Sequence, residues 1–189
     1  VICTSNTTSR ARDTELGRWV TVKIGSPTNK IAIITAYVMG NTELSPTKLH
    51  TIASQQWQIM SKKGINGHPR EKTKKDLIRH IEKTQEEGYQ IVLLMDANTT
   101  RSDKQGTVHK IKEQCGLQEI VTTNSEIPTH IDGKSQIDFA SCSPKLATFI
   151  TFNAIQEFGE MCGSDHRSII FDLKIKQMNY QKSEQNMDD

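Results

Sequence analysis

Three short strings in this chain hold residue types that can cleave a phosphodiester: Asp96-Ala97-Asn98, Ile137-Asp138-Phe139 and Ser164-Asp165-His166. That hydrolysis needs a deprotonated water in line with the phosphorus. It also needs positive charge on the oxygens that gain negative charge. A hard divalent cation such as Mg²⁺ supplies the charge, helps to ionise the water, and prefers carboxylate oxygens and water as ligands. Asp165 offers such a ligand. Asp96 and Asn98, two apart, both reach one point if the chain turns after Asp96. Asp96 would position or deprotonate the water, and Asn98 would donate its amide hydrogens to a phosphate oxygen. His166 suits bonding to the phosphate or acceptance of a proton, with Asp138 as the partner that fixes its tautomer. Tyr37 can offer a phenolic hydroxyl to the same phosphate.

Each residue also has a plainer reading. Asp and Asn favour turns, so Asp96-Ala97-Asn98 is an ordinary turn when taken alone. Asp138 is flanked by Ile137 and Phe139, where an unpaired carboxylate is costly, so it is either structurally ion-paired or functional. Asp165 can cap a turn, His166 can lie on the surface, and Tyr37 can be core. The three strings in order weigh more together than any one of them. A basic stretch, Lys62, Lys63, Arg70, Lys72, Lys74 and Lys75, is interrupted by Glu71 and Asp76. It reads better as a solvated helix face than as a nucleic-acid track. Arg101, just after the D-x-N string, is closer to a phosphate.

The elements that must position these residues follow from hydrophobic period and punctuation. Residues 1–18 read as polar and irregular. Residues 19–24 alternate apolar and polar as a half-buried strand. Residues 31–37 form a β-branched apolar run, a strand covered on both faces, ending at Tyr37. Ser45-Pro46 opens a helix with Leu49, Ile52, Ala53, Trp57 and Met60 on one face. A second helix is expected over 69–87, with Leu77, Ile78 and Ile81 inward. A buried strand over 91–95 ends at Asp96. A short helix with Val108, Ile111 and Cys115 is closed by Gly116. Strands near 137–141, 146–153 and 168–174 complete the pattern, and residues 176–189 read as a polar, disordered tail. This order describes a mixed α/β domain with helices outside sheets. One site can gather all three strings if their strands are neighbours, some antiparallel.

Composition narrows the class. The chain has 189 residues, enough for one domain, and 34% apolar residues, below the globular average of roughly 45–50%. Its net charge of +2 creates no bulk field toward nucleic acid or membrane. No stretch is long and apolar enough for a transmembrane helix, and no signal peptide is read at the start. Cys3, Cys115, Cys142 and Cys162 are scattered without a CxxC pair. They read as reduced thiols of an intracellular protein, nuclear or cytoplasmic. The start at Val1 raises the expectation that the chain was cut from something longer.

With these motifs the chain resembles the endonuclease/exonuclease/phosphatase superfamily. The matching text is Ile34-Thr35-Ala36-Tyr37, Leu94-Met95-Asp96-Ala97-Asn98, Ile137-Asp138-Phe139 and Ser164-Asp165-His166-Arg167. Gly17-Arg18-Trp19, the Trp57 helix, and Pro128-Thr129-His130 with Gly133 make it most similar to endonuclease domains of non-LTR retrotransposon polyproteins. The resemblance covers about residues 16–175. It implies a four-layer α/β sandwich, DNase I-like, and Mg²⁺- or Mn²⁺-dependent phosphoester hydrolysis, here of DNA. It also implies the roles argued above, with Asp165 as metal ligand, and allows a reverse transcriptase fused in the full-length protein. A phosphatase, an RNA-cleaving member of the fold, or a non-catalytic nucleic-acid-binding remnant are the alternatives.

Two departures stand out. Met95 replaces the usual Gly before D-x-N, so that strand end is expected to pack differently. The family's early strand-end Asn and metal-binding Glu have no match before Tyr37, since Asp13 and Glu15 lie in a polar stretch. Residues 1–175 are therefore expected to be the C-terminal portion of the domain, incomplete at the N-terminus. Marginal stability and weak Mg²⁺ binding are expected to follow.

Overall fold

The apolar runs around Tyr37 and Asp96 become adjacent strands of one sheet, as their composition requires. The computed structural model describes residues 9–12, 16–26, 28–42, 44, 50–121, 127–160 and 163–174. Six strands form a mixed sheet: β1 (Ser9–Arg12), β2 (Trp19–Ser26), β3 (Asn29–Tyr37), β4 (Gln90–Asp96), β5 (Gln118–Glu119) and β6 (Asp138–Cys142). Their spatial order is β1-β2-β3-β4-β6-β5. Only β3 and β4 run parallel; the other pairs are antiparallel. A second, two-stranded sheet pairs β7 (Ile150–Ile155) with β8 (Ile169–Leu173).

A parallel pair needs a crossover. Here α1 (Ile52–Lys62) and α2 (Pro69–Glu86) supply it, and α3 (Thr107–Cys115) and the single turn α4 (Pro144–Ala147) follow. Local chemistry sets their ends. Thr51 caps α1 by accepting from the Ser54 amide at 3.2 Å. His68 caps α2 through the Arg70 amide, with Pro69 in the first turn. Gly116 ends α3 in the left-handed conformation, φ 64°, which a side chain would strain.

Strand alternation explains why β3 and β4 read as continuous apolar runs. On one face Ala32, Ile34, Ala36, Ile91, Leu93 and Met95 pack against Leu77, Ile78 and Ile81 of α2 and Val108 and Ile111 of α3. On the other, Ile31, Ile33, Val92 and Leu94 meet Leu146, Phe149 and the β7–β8 ribbon through Ile155, Ile169 and Phe171. The described residues thus supply three layers: helices, the six-stranded sheet, and the ribbon. Burial of each large aliphatic side chain contributes about 1.5–3 kcal/mol, so both faces hold the β3–β4 centre rigid.

Several expectations need correction. A strand, β1, lies within the stretch read as irregular; its Ser-Arg-Ala-Arg sequence has no apolar alternation to betray it. Strand 146–153 begins later, because Ser143-Pro144 starts a helical turn that buries Leu146. Ile52, read as inward, is 47% exposed. Ser45, Pro46, Leu49, Cys3, Cys162 and the tail 176–189 lie outside the described residues. Met95 packs its side chain into the helix-side core. Cys115 and Cys142 are buried free thiols, and burial pushes them up to about 12 and about 11 respectively. They stay protonated and act as core.

Candidate active site

Register gathers the first three site residues. Tyr37 of β3 stands beside Asp96 of β4 in the parallel ladder, and Asp96 stands opposite Asp138 of β6 in the antiparallel one. The three occupy one row across three neighbouring strands, at one edge of the sheet. The ladder continues a step further, with the Val38 amide on the Asp96 carbonyl and the Ala97 amide on the Ile137 carbonyl, each at 2.8 Å.

Beyond Asp96 the chain turns tightly. The Asn98 amide donates to Asp96 Oδ1 at 3.0 Å, and Asn98 takes φ 44°. It is the non-glycine residue with positive φ among the described residues. A side chain there costs about 1–2 kcal/mol, least for Asn, so the turn carries strain that aims the amide. Asn98 Nδ2 donates to the Val38 carbonyl at 3.1 Å, which ties the ends of β3 and β4 together.

His166 enters from the segment before β8. Its Nδ1 meets Asp138 Oδ2 at 2.8 Å. A carboxylate only accepts, so Nδ1 carries the proton and Nε2 is the ring nitrogen not engaged by Asp138. Burial alone would lower the His166 pKa. The hydrogen bond and charge of Asp138, with the fields of Asp96 and Asp165, outweigh it and hold the ring above the ordinary histidine value. Asp96, Asp138 and His166 place ligand atoms within 4.8 Å of one another, and so do His130, Asp165 and His166. Asp165 is 66% exposed, the most open carboxylate of the group.

The row also perturbs its own members. Burial and the nearby Asp138 raise the Asp96 pKa, against the lowering effect of the Asn98 amide. Burial and Asp96 raise Tyr37, against the hydrogen-bonded Asn98 side chain and Arg70. Clustered shifts of this kind mark functional sites more often than structural ones. All six candidates, Tyr37, Asp96, Asn98, Asp138, Asp165 and His166, therefore converge on one edge.

Sequence reasoning assigned no role to three supporting residues. Arg70 was grouped with a solvated basic face, yet it is buried. Its guanidinium donates to the Met39 carbonyl and, at 3.2 Å, to the Asn98 carbonyl, so it clamps the loops after β3 and β4. Thr129 is fully buried, and its Oγ1 accepts from the Ile137 and Asp138 amides at 3.0 and 3.1 Å. Gln136, also buried, donates to the Asp138 carbonyl at 3.0 Å. Only the Pro128-Thr129-His130 string offered a signal. Arg101 turns away from the expected phosphate: Nε and a terminal nitrogen both bond Glu119 Oε2, at 3.0 and 2.6 Å.

No family model matches the chain, and no curated protein matches it in sequence. Solved structures do match. The 3′ phosphatase NExo from Neisseria, bound to a product DNA hairpin, aligns with a TM-score of 0.57 at 12% identity, over 88% of this chain and 70% of that one. An AP endonuclease from Archaeoglobus fulgidus aligns at 0.54 and 14% identity, over the same shares of 88% and 70%. The endonuclease domain of TRAS1, a telomere-specific non-LTR retrotransposon, aligns at 0.48 and 16%, over 88% and 69%. At these identities the likeness speaks for the fold. The chain has the DNase I-like α/β fold of these structures.

Proposed function

We propose that this chain is a divalent-metal-dependent phosphodiesterase that cuts DNA, an endonuclease of retroelement type. The observation that carries the reading is the Asp138–His166 pair, 2.8 Å long, set opposite Asp96 in the sheet register. A carboxylate-oriented imidazole beside a second carboxylate is what in-line attack on a phosphodiester needs. The neighbours that share the fold include a 3′ phosphatase and an AP endonuclease. The retroelement assignment and the fused reverse transcriptase rest on the sequence motifs, and the nuclear or cytoplasmic setting on the scattered cysteines.

The donor set fits a hard cation. Mg²⁺ uses one or two carboxylates and keeps several waters. Asp165 is open to solvent, and Asp96 and Asp165 each have a carboxylate oxygen within 4.8 Å of a His166 ring nitrogen. Bound there, Mg²⁺ or Mn²⁺ would lend charge to the phosphate oxygens and acidify a water. The chain's own groups do the rest. Asp96, with its raised pKa, is a carboxylate able to take a proton from the attacking water. Asn98 holds its amide in a strained turn beside it. His166, biased toward imidazolium, donates from Nε2 to a phosphate oxygen rather than accepting a proton. Tyr37 stays protonated and donates from the same edge.

Nicking of supercoiled plasmid in Mg²⁺ tests this. His166→Ala should abolish nicking while leaving DNA binding nearly unchanged. A chain that binds DNA but never cuts, with or without His166, would favour the non-catalytic reading. A panel of DNA, RNA and small phosphoesters assigns the substrate, because loops rather than the catalytic row select it.

A further inference from the structure

Beside the Asp138–His166 pair lies a second imidazole–carboxylate pair, whose histidine has no role in the proposed chemistry. His130 Nε2 stands 3.5 Å from Asp165 Oδ2, and its ring meets the His166 ring edge to face, centroids 4.9 Å apart at 85°. The backbones are joined as well. His130 and His166 form an antiparallel bridge, flanked by the Ile131 amide on the Asp165 carbonyl and the Arg167 amide on the Thr129 carbonyl, both 2.8 Å. A tight turn sets the ring. The Gly133 amide donates to the His130 carbonyl at 2.9 Å, and a Cβ at Gly133 would sit 3.1 Å from that oxygen.

Two roles compete for His130. As a metal ligand it would need a lone pair on Nε2. As a positioning group it would need a proton there. Its other nitrogen decides between them: Nδ1 accepts the Asp132 amide at 3.2 Å, so its lone pair is engaged and the neutral ring carries its proton on Nε2. That nitrogen lies within ion-pair distance of Asp165, whose side chain is 66% exposed. A freely rotating carboxylate loses side-chain entropy on binding a cation; one already held by a donor loses less.

We propose that His130 is a positioning residue. Through Nε2–H it holds the Asp165 carboxylate in the orientation that takes the divalent cation, and through its ring edge it keeps His166 in line with Asp138. This rests on the reading of the site as a metal-dependent phosphodiesterase. Removal of an outer partner of a metal ligand weakens metal binding roughly 10- to 100-fold.

The test uses the full chain, Mn²⁺ titrated by electron paramagnetic resonance, and plasmid nicking. His130→Phe keeps a planar ring without the donor; His130→Gln restores an N–H near the Nε2 position. Phe should weaken Mn²⁺ binding about tenfold or more and raise the Mg²⁺ needed for half-maximal nicking by a similar factor. The rate at saturating Mg²⁺ should fall less, and Gln should recover most of the affinity. Nitrogen-15 shifts should report the Nε2–H tautomer of His130 in the wild-type chain. Wild-type Mn²⁺ affinity in the Phe variant, or an Nδ1–H tautomer, would overturn the inference while leaving the functional reading intact. Loss of binding in both variants would make His130 a ligand and overturn it too. A wild-type chain that neither binds Mn²⁺ nor cuts would overturn the functional reading, and this one with it.

Discussion

Asp138→Asn removes one charge from two interactions of opposite sign, so its effect should depend on pH in a defined way. In the wild-type chain Asp138 accepts from His166 at 2.8 Å and faces Asp96 across the strand pair. A hydrogen bond to a charged group contributes about 1.5–3 kcal/mol. His166 is 31% exposed and Asp138 17%, so solvent screens the pair and the lower figure applies. Against it stands the repulsion of two carboxylates directly opposite one another, worth up to about 1 kcal/mol.

The signs follow from the titrations. His166 has a raised folded pKa, so its stabilisation is full below the unfolded value, about 6.5, and fades as pH rises through the folded value. Asp96 also has a raised folded pKa, so its ionised form costs stability, and that cost disappears as pH falls through it. At pH 5.5 Asp138→Asn should therefore destabilise by about 0.5–1.5 kcal/mol, the lost charged hydrogen bond less the repulsion relieved. Near pH 9 the loss of a neutral hydrogen bond and the relief of repulsion nearly cancel. Urea melts at the two pH values read this directly. Nicking should fall about 10- to 100-fold, equivalent to about 1.4–2.7 kcal/mol in the barrier. The alkaline limb of its pH profile should move to lower pH, because imidazolium is the donor. An Asn variant equally destabilised at both pH values, with an unmoved alkaline limb, would refute the reasoning.

Three further outcomes are expected. Arg70→Met should cost about 2–3 kcal/mol in a urea melt, because the Met39 and Asn98 carbonyls lose a charged donor, and should slow nicking by releasing the Asn98 turn. Arg70→Lys, a point donor where a fork is needed, should recover only part of both. Asn98→Gly should leave the melting midpoint within about 1 kcal/mol of wild type, since glycine relieves the φ strain that offsets the lost Val38 bond. It should still cut the nicking rate, which separates the residue's chemistry from its packing. Thr129→Val leaves the Ile137 and Asp138 amides without their acceptor and should destabilise by about 2 kcal/mol or more in the same melt. Thr129→Ser should be close to wild type.

The site's ionisable residues were legible because they announce themselves at strand ends. Asp96 closes an apolar run, Asp138 interrupts one, and Asp165-His166 precedes another, so strand periodicity alone placed them where a sheet edge could gather them. What holds them was not legible. Arg70 sits in a run of lysines whose local pattern is that of a solvated face; only the approach of the loops after β3 and β4 buries it. Thr129 and Gln136 act through the backbone around Asp138, and residues of those types do so in countless turns without consequence. β1 was missed for a related reason: an edge strand pairs through its backbone and needs no apolar alternation.

The charge balance of the cluster supports the proposed cation. Asp96, Asp138 and Asp165 all act on His166, and the buried Arg70 donates to the Met39 and Asn98 carbonyls. A phosphodiester approaching this edge therefore meets three carboxylates against one imidazolium. At separations of about 4 Å and an effective dielectric near 20, each extra like charge opposes the phosphate by about 4 kcal/mol. The imidazolium cannot offset that, because Asp138 already neutralises it. Only an added cation turns the edge from repelling a phosphate to holding one. The same ion would offset the burial and the Asp138 charge that raise the Asp96 pKa. Its arrival would favour the ionised form of Asp96, which couples metal binding to the readiness of the base.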